Sequence, residues 1–584
     1  MKQCSYTGVS LGWAHRRIVG TQGQPMLPPS NGIRWGPGRA GLSVKAGGEG
    51  GITRWKLFSM AAAGGPFAAA MMWVLTGDDW ARQAKLAYAV PERLSRDTFT
   101  SLVTMLDYVI SLRGIPDGPE REKVLHECHL RGAKRLEALC FRNGGIYIKL
   151  GQHLGQLDYL LPEEYVKTMR QGMLNKCPLS SRDQVHNVFL AEFGRLPHEL
   201  FAEFDYSPVA SASLAQVHVG KTHDGQKVAV KVQHGHLTDT ATADIATVTL
   251  VVKLVHFLMP SVNYGWLVDE VRESLPNELN FLHEAENSRR CRKNFEHQSP
   301  YLAPLVAIPT VLSGLSTSRV LTMEFMEGVP ITDKDAIKKM GLNPADVARL
   351  LSKSFAEMIF HHGFVHCDPH GANVLVRRLP QAGRFWFPKW FARPQIVLLD
   401  HGLYRILDDS LRLNYASLWK ALVFSDENAI REHSKALGAG EDLYRLFAGI
   451  LTMRPWNHVI DTSIDHLKIP DTEEDKAQIQ FYAAQYAMEV STLLARLPRV
   501  LLLLLKTNDC LRATDNALGA PVNTFIIIAR ECTRALARAK REAEPGSLWL
   551  QCMVIMELMG VEVRIFALRF LAMLANVKLL PSFA

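Results

Sequence analysis

Between residues 116 and 197 apolar positions return every third or fourth residue, as at Leu136, Leu139 and Cys140, which predicts helices packed by one face. Pro162-Glu163-Glu164-Tyr165 reads as the start of one, with proline and acids where a first helical turn accepts them. Near residue 201 the period changes. Ser213 to Val219 and Lys227 to Gln233 are short β-type runs, and Asp224-Gly225 between them is a hairpin signal. Ile308 to Leu312 and Arg319 to Phe325 predict two more strands, Ala345 to His362 an amphipathic helix, and nearly everything after Arg412 reads as helix. Val500 to Leu505, between Arg499 and Lys506, is too short to span a bilayer and reads as a core helix. From Leu548 to Leu580 a last helix gathers Glu557, Glu562, Arg564 and Arg569 into one arc. Its apolar face is expected to dock on the helical lobe, a membrane surface being the alternative. The order is a helical preface, a small sheet and a helical lobe, without internal repeats.

Composition alters this little. Of 584 residues 47% are hydrophobic and 21% charged, ordinary globular values with room for two or three domains. Much of the net charge of +8 sits at one end, where Lys2, Arg16, Arg17, Arg34, Arg39 and Lys45 face a single acid, Glu49. The body is near neutral, so no nucleic-acid groove is implied and no nucleic acid is expected as a partner. Nine scattered cysteines without a CxxC pair argue against a disulfide framework or zinc ribbon. Residues 1–50 fit a mitochondrial presequence, with an inert basic tail as the alternative. The uncharged run Leu57 to Gly77 is long enough for a bilayer, but its Ala, Gly and Pro66 leave an inner-membrane anchor and a surface-lying or buried helix both open.

The chemistry lies in three ordered pieces. Val228-Ala229-Val230-Lys231 ends a strand on a lysine, residues 366–373 read HCDPHGAN, and residues 397–402 read VLLDHG. A strand lysine, a D-x₄-N loop and a D-x-G turn in this order are the parts of phosphoryl transfer. Lys231 would supply charge to the α- and β-phosphates of ATP. Asp368 would accept the proton of an attacking hydroxyl or orient a water. Asn373 and Asp400 would hold Mg²⁺ through oxygen, the ligand Mg²⁺ prefers. The strand leading into MEFMEG, with Glu324 and Met326, suits a hinge whose backbone meets an adenine edge.

With these residues in view, the chain resembles the aarF-domain (UbiB-type) atypical kinase family over about residues 75–545. Asn143 to Gln152, NGGIYIKLGQ, carries that family's K-x-G-Q signature in Lys149 and Gln152, and Ala210-Ser211-Ala212-Ser213-Leu214-Ala215-Gln216-Val217-His218 is similar to its Ala-rich replacement of the kinase glycine loop. The resemblance implies an α+β, atypical protein-kinase-like two-lobed fold with an N-terminal helical extension and an all-helical C-terminal region. It implies ATP and Mg²⁺ as cofactors, with residues 210–217, Lys231, Glu284, Glu324, Met326, Lys149, Gln152 and Glu278 around the nucleotide. Lys231 and Glu284 would form an ion pair. Lys149 and Gln152 would lie on a helix over the site that restricts protein substrates, and Glu278 would face that helix. It further implies a role in mitochondrial lipid or quinone homeostasis, associated with the inner membrane, with a lipid or membrane surface as a partner. The implied division is a presequence at 1–50, an extension with the anchor candidate at 51–110, a helical K-x-G-Q extension at 111–200, an N-lobe at 201–328, a C-lobe at 329–545 and an amphipathic tail at 546–584.

Three departures from the family pattern stand out. Its E-x-D element reads Glu278-Leu279-Asn280, so one acid is an amide. Its H-P-G-N reads His370-Gly371-Ala372-Asn373, which would strain Ala372 and displace Asn373 if that position takes positive φ. An aromatic and basic insert, residues 377–395, is expected as an exposed loop. Among competing readings, Ala215-x₄-Gly220-Lys221-Thr222 lacks the first glycine of a P-loop and is followed by a hairpin rather than a helix. His361, His362, His366, Cys367 and His370 suggest a metal cluster, but Gly363 and Pro369 should end the helix before the set converges. A nucleotide-binding pseudokinase scaffold is the non-enzymatic alternative.

Overall fold

The computed structural model describes residues 80–155, 161–175, 179–235, 237–258, 275–380, 392–454, 456–460, 487–519, 522–544 and 547–576, with single positions at 268 and 272. By its contacts the chain divides after Gly64, and all the described residues belong to the second unit. The basic segment 1–50 and the apolar run 57–77 lie outside the described residues. Among the described residues no helix is long and apolar enough to cross a membrane.

The preface is helical: α1 (Trp80–Ser111), α2 (Pro119–Asn143), α3 (Ile146–Leu154) and α4 (Glu163–Asn175). Helix α2 starts on proline with Glu120 and Glu122 in its first turn, where the dipole favours acids. Buried Asp97 of α1 accepts from Asn143 Nδ2 at 2.8 Å and from the Tyr147 hydroxyl at 2.6 Å, tying three helices together. Burial pushes its carboxyl up despite those bonds. A Cβ at Gly155 would stand 2.9 Å from the backbone nitrogen of Arg170, so the chain leaves α3 against α4 where only glycine fits.

After α5 (Arg182–Phe193) come β1 (Glu203–Phe204), β2 (Ala210–Ser211), β3 (Ala215–Lys221) and β4 (Lys227–Gln233). Strands β3 and β4 pair antiparallel from Ala215↔Gln233 to Lys221↔Lys227. Gly225, at φ 86°, closes the predicted hairpin. Strict alternation decides what β4 offers each face. Val228, Val230 and Val232 enter a core with Phe189, Phe201 and Val320, so Lys231 must face the other way. Helices α6 (Leu237–Leu258) and α7 (Phe281–Gln298) follow, and β6 (Val320–Glu324) completes the sheet in the order β1-β3-β4-β6, with β2 on β3. The strand expected over Ile308–Leu312 does not form. There is β5 (Val306–Ala307) and an isolated bridge at Val311, because Pro309 has no N–H to give a ladder.

In the larger lobe α8 (Pro344–Glu357) is capped by Asn343 and passes into a π turn, Met358–His362, that Gly363 ends at φ 60°. Four strands then place the site. After β7 (Val329–Pro330), β8 (Phe364–His366) pairs with β11 (Tyr404–Ile406), and β9 (Val374–Arg378) with β10 (Pro394–Leu398). The loops 367–373 and 399–403 therefore leave neighbouring strand ends side by side. The insert is shorter than expected as a loop. Arg377 and Arg378 belong to β9, Pro394 and Gln395 to β10, and residues 381–391 lie outside the described set. Helices α9 (Asp409–Phe424), α10 (Glu427–Ala436), α11 (Arg499–Leu518) and α12 (Thr524–Ala543) enclose the largest core.

The tail helix α13 (Leu548–Asn576) docks the opposite way from the expectation. Glu557 reaches Lys540 at 2.7 Å and also pairs with Lys420, and Glu562 pairs with Arg530 at 2.6 Å. Val554 and Val561 are buried beside them, while Trp549, Met556, Met559, Val563 and Phe566 are exposed. The lobe surface that meets α13 is itself cationic, so the acids satisfy it and the apolar row turns outward. Burial pushes the Glu557 carboxyl up, but Lys420 and Lys540 outweigh it and hold the group below its ordinary range. Its stabilisation is thus complete above the unfolded carboxyl pKa and fades as pH falls through the lower folded value. Glu557→Gln should lose about 1 kcal/mol near neutrality. In melting curves the deficit should hold steady above the unfolded glutamate value of 4.5 and narrow as pH falls below it; a deficit independent of pH would assign the effect to packing.

Candidate functional site

His366 joins the two loops. Its Nδ1 accepts the Asp368 backbone N–H at 3.1 Å while its Nε2–H donates to the Leu399 carbonyl at 3.2 Å. Complete burial pushes its pKa down, which keeps the ring neutral, as one donor and one acceptor require. Asn373 donates from Nδ2 to the Asp368 carbonyl at 3.1 Å, and its own carbonyl accepts from Leu399 N at 2.8 Å. His401 fixes the second loop through Tyr404 and the Leu398 carbonyl, and burial pushes it down to about 3. Asp400 takes φ 49°, held by the Gly402 N–H on its own Oδ1 at 3.3 Å.

Charge converges on these loops from three sides. Lys231 Nζ lies 2.9 and 3.1 Å from the two Glu284 oxygens and 3.4 Å from Asp400 Oδ1. Lys149 Nζ is 2.7 Å from Glu278 Oε2. Lys506 Nζ is 3.0 Å from Asp368 Oδ1, and His370 Nε2 is 3.8 Å from Asp368 Oδ2. Burial opposes the Lys231 charge, but Asp400 and Glu284 outweigh it and hold the ammonium above its ordinary range. Lys231 and Lys149 likewise overcome desolvation to hold Asp400 well below the usual carboxylate range. Asp368 is brought down to about 2 against burial, chiefly by Lys506, then His370 and Lys149.

The Ala-rich segment forms β2, a turn and the start of β3. Ala210, Ser211 and Ala212 are exposed or half-buried, and Ser213 donates to Gln152 Oε1 at 3.0 Å, joining segment and K-x-G-Q helix. Leu214 and Ala215 are buried, Ala215 against Phe281, Ala285 and Leu321. The Gln216 amide is spent on Ser180 and His218, and Val217 is half-buried in the ladder. Any meeting of Ala215 or Gln216 with a ligand would be through backbone. Glu324 accepts from the Thr310 hydroxyl at 3.2 Å, and Met326 is half-buried beyond the end of β6.

The ABC1 atypical kinase-like domain matches residues 172–434. A putative ABC1 protein of Arabidopsis thaliana is 54% identical over 90% of this chain and 98% of its own length. The chain belongs to the ABC1/AarF atypical kinase family. AarF domain-containing protein kinase 1 of Gallus gallus is 41% identical over 77% of the chain and 83% of its own length. A solved structure of Rv3197 with erythromycin from Mycobacterium tuberculosis aligns over 68% of the chain and 98% of its own at 21% identity and TM-score 0.38. Membership gives the observed fold its class, an α+β kinase-like fold.

Against the ABC1/AarF pattern two departures change meaning. Asn280 is the N-cap of α7, accepting from Leu282 N at 3.1 Å; asparagine and aspartate cap equally well, so the amide keeps that role. Ala372 is not among the positive-φ residues, which apart from glycines and among the described residues are Asp400, Ser425 and Met453. It is therefore unstrained, and Asn373 keeps its bonds to the loop. The histidine set disperses: His366 braces the loops, His370 faces Asp368, and His361 instead meets Glu531 at 3.4 Å with Glu357 nearby. Lys221 pairs with exposed Glu203 at 3.4 Å on the hairpin, apart from the loops. Sequence reasoning missed Lys506, whose only signal was a cation ending a leucine run.

Proposed function

We propose that the chain binds ATP with Mg²⁺ beside Lys231, Asp368, Asn373 and Asp400 and transfers or hydrolyses the terminal phosphate. The observation that carries this reading is the triangle of Lys231 with Glu284 at 2.9 Å and Asp400 at 3.4 Å. A lysine held charged between two carboxylates is poised to exchange one of them for phosphate oxygens. The donor set fits Mg²⁺: a carboxylate at Asp400 and the amide oxygen of Asn373, whose Nδ2 alone is used in the loop. Asp400 and Asn373 would hold the ion, and the chemistry it would supply is positive charge against the phosphate oxygens. Asp368 would orient the nucleophile and accept its proton, while Lys149 and Glu278 hold the K-x-G-Q helix over the nucleotide. Glu278 Oε1 is buried without a hydrogen-bond partner, an acceptor left for a ligand.

The chain is proposed to act in mitochondrial lipid or quinone homeostasis and maintenance of the inner membrane. The family resemblance and the basic, acid-poor first fifty residues support this, and mass spectrometry of the mature N-terminus in mitochondria tests the import. The function is tested by thermal shift with ADP and ATP, with and without Mg²⁺, followed by ATP turnover with and without liposomes. Asp400→Asn should lose the Mg²⁺-dependent part of the shift. Binding without turnover would favour the scaffold reading, and no binding of either nucleotide, with or without Mg²⁺, would reject both.

A further inference from the structure

Lys506 is delivered to the site by an element that neither the lysine strand nor the two loops contain. It lies on α11, whose position is fixed on both sides of it. Leu501, Leu504 and Leu505 are buried in the main core, and Asn508 donates to the Tyr415 hydroxyl at 2.9 Å. The ammonium is therefore placed by a rigid helix. It is 16% exposed, and the Asp368 carboxylate it meets is 19% exposed. The 3.0 Å approach is a charge-assisted pair, and an ammonium has three N–H donors of which one carboxylate oxygen takes at most one. The pair is held by charge and leaves the ammonium free to turn to a second anion.

The other two lysines of the site are already assigned. Lys231 serves Glu284 and Asp400, and Lys149 serves Glu278. Both approach from the sheet and the preface. Among the described residues Lys506 is the lysine that approaches Asp368 from the helical lobe, and Asp368 marks the end of the site where the accepting oxygen would sit. From this placement we infer that Lys506 is a terminal-phosphate-binding residue: it pairs with Asp368 in the nucleotide-free protein and is shared between Asp368 and the terminal phosphate oxygens when ATP is bound. The inference rests on the proposed phosphoryl transfer. In the transfer the acceptor O–H gives its proton to Asp368, its oxygen bonds to the terminal phosphorus, and the bond from that phosphorus to the bridging oxygen breaks with ADP as the leaving group. Lys506 remains an ammonium throughout.

The test uses the full chain and compares ADP·Mg²⁺ with the non-hydrolysable β,γ-imido analogue of ATP. Lys506→Met should weaken the analogue about tenfold or more, the scale of one charge-assisted hydrogen bond, and leave ADP within about twofold. Lys506→Arg should restore part of the preference. An unchanged analogue-to-ADP ratio in Lys506→Met would overturn the inference, whereas a natural chain that binds neither nucleotide would overturn the functional reading beneath it. A second measurement does not depend on a variant folding: acetylation of lysines in the natural protein, read by peptide mass spectrometry. Lys231 should be protected by both nucleotides and Lys506 by the analogue alone. Equal labelling of Lys506 in ADP and the analogue would also overturn the inference.

Discussion

Lys231→Met is expected to bind Mg²⁺-nucleotide at least about tenfold more weakly and to melt well below the natural protein. The two effects share one cause. The Lys231 and Glu284 side chains are 15% and 5% exposed, so removing the ammonium strands a carboxylate away from water. Breaking a buried pair from one side costs about 3–5 kcal/mol. The cost should depend on pH in a definite direction. Without its partner, Glu284 folds with a carboxyl pKa above its unfolded value, so the variant is least impaired at low pH and its deficit grows as pH rises. The double variant Lys231→Met/Glu284→Leu should recover much of the melting temperature, because no charge is then buried alone, yet recover none of the nucleotide affinity. Recovery of both would mean that the lysine serves only the fold.

This half of the site is legible in the sequence. Valines alternating through Lys227–Gln233, preceded by the turn at Asp224-Gly225, fix which face Lys231 takes, since a strand has only two. The loops 367–373 and 399–403 were legible for a similar reason: each is short and leaves a strand whose partner is adjacent. The Ile308–Leu312 strand failed on a signal that was present, Pro309. The tail failed on one that was not. A helical wheel divides α13 into a charged and an apolar arc, but which arc meets the protein depends on Lys420, Arg530 and Lys540 of neighbouring helices. Lys506 was hidden in the same way. Its leucines announced a buried helix, and nothing local announced that the helix ends its run of leucines at Asp368.

Asp368→Asn is expected to lower turnover about 10²–10⁴-fold, the range for loss of a positioned general base. Mg²⁺-ATP affinity should stay the same or rise, since Lys506 no longer has a carboxylate to serve. The pH dependence is more informative. Lys506, His370 and Lys149 bring Asp368 down to about 2, so its ionised form stabilises the fold fully above its ordinary value near 3.8 and loses that effect as pH falls toward about 2. A carboxylate so strongly paired is a weak base, while base catalysis is most effective with a pKa near the working pH. An anionic phosphate beside Lys506 would draw charge away from Asp368 and add repulsion, both of which raise the carboxylate's pKa. The acid limb of kcat, which reports the nucleotide complex, should therefore lie at higher pH than the acid limb of kcat/KM, which reports the free enzyme. In Lys506→Met both limbs should move up and the gap between them should shrink, because the ammonium that nucleotide was competing for is gone. Limbs that coincide in the natural protein would show that Lys506 does not change partners, and turnover within a few-fold of normal in Asp368→Asn would remove Asp368 from the chemistry.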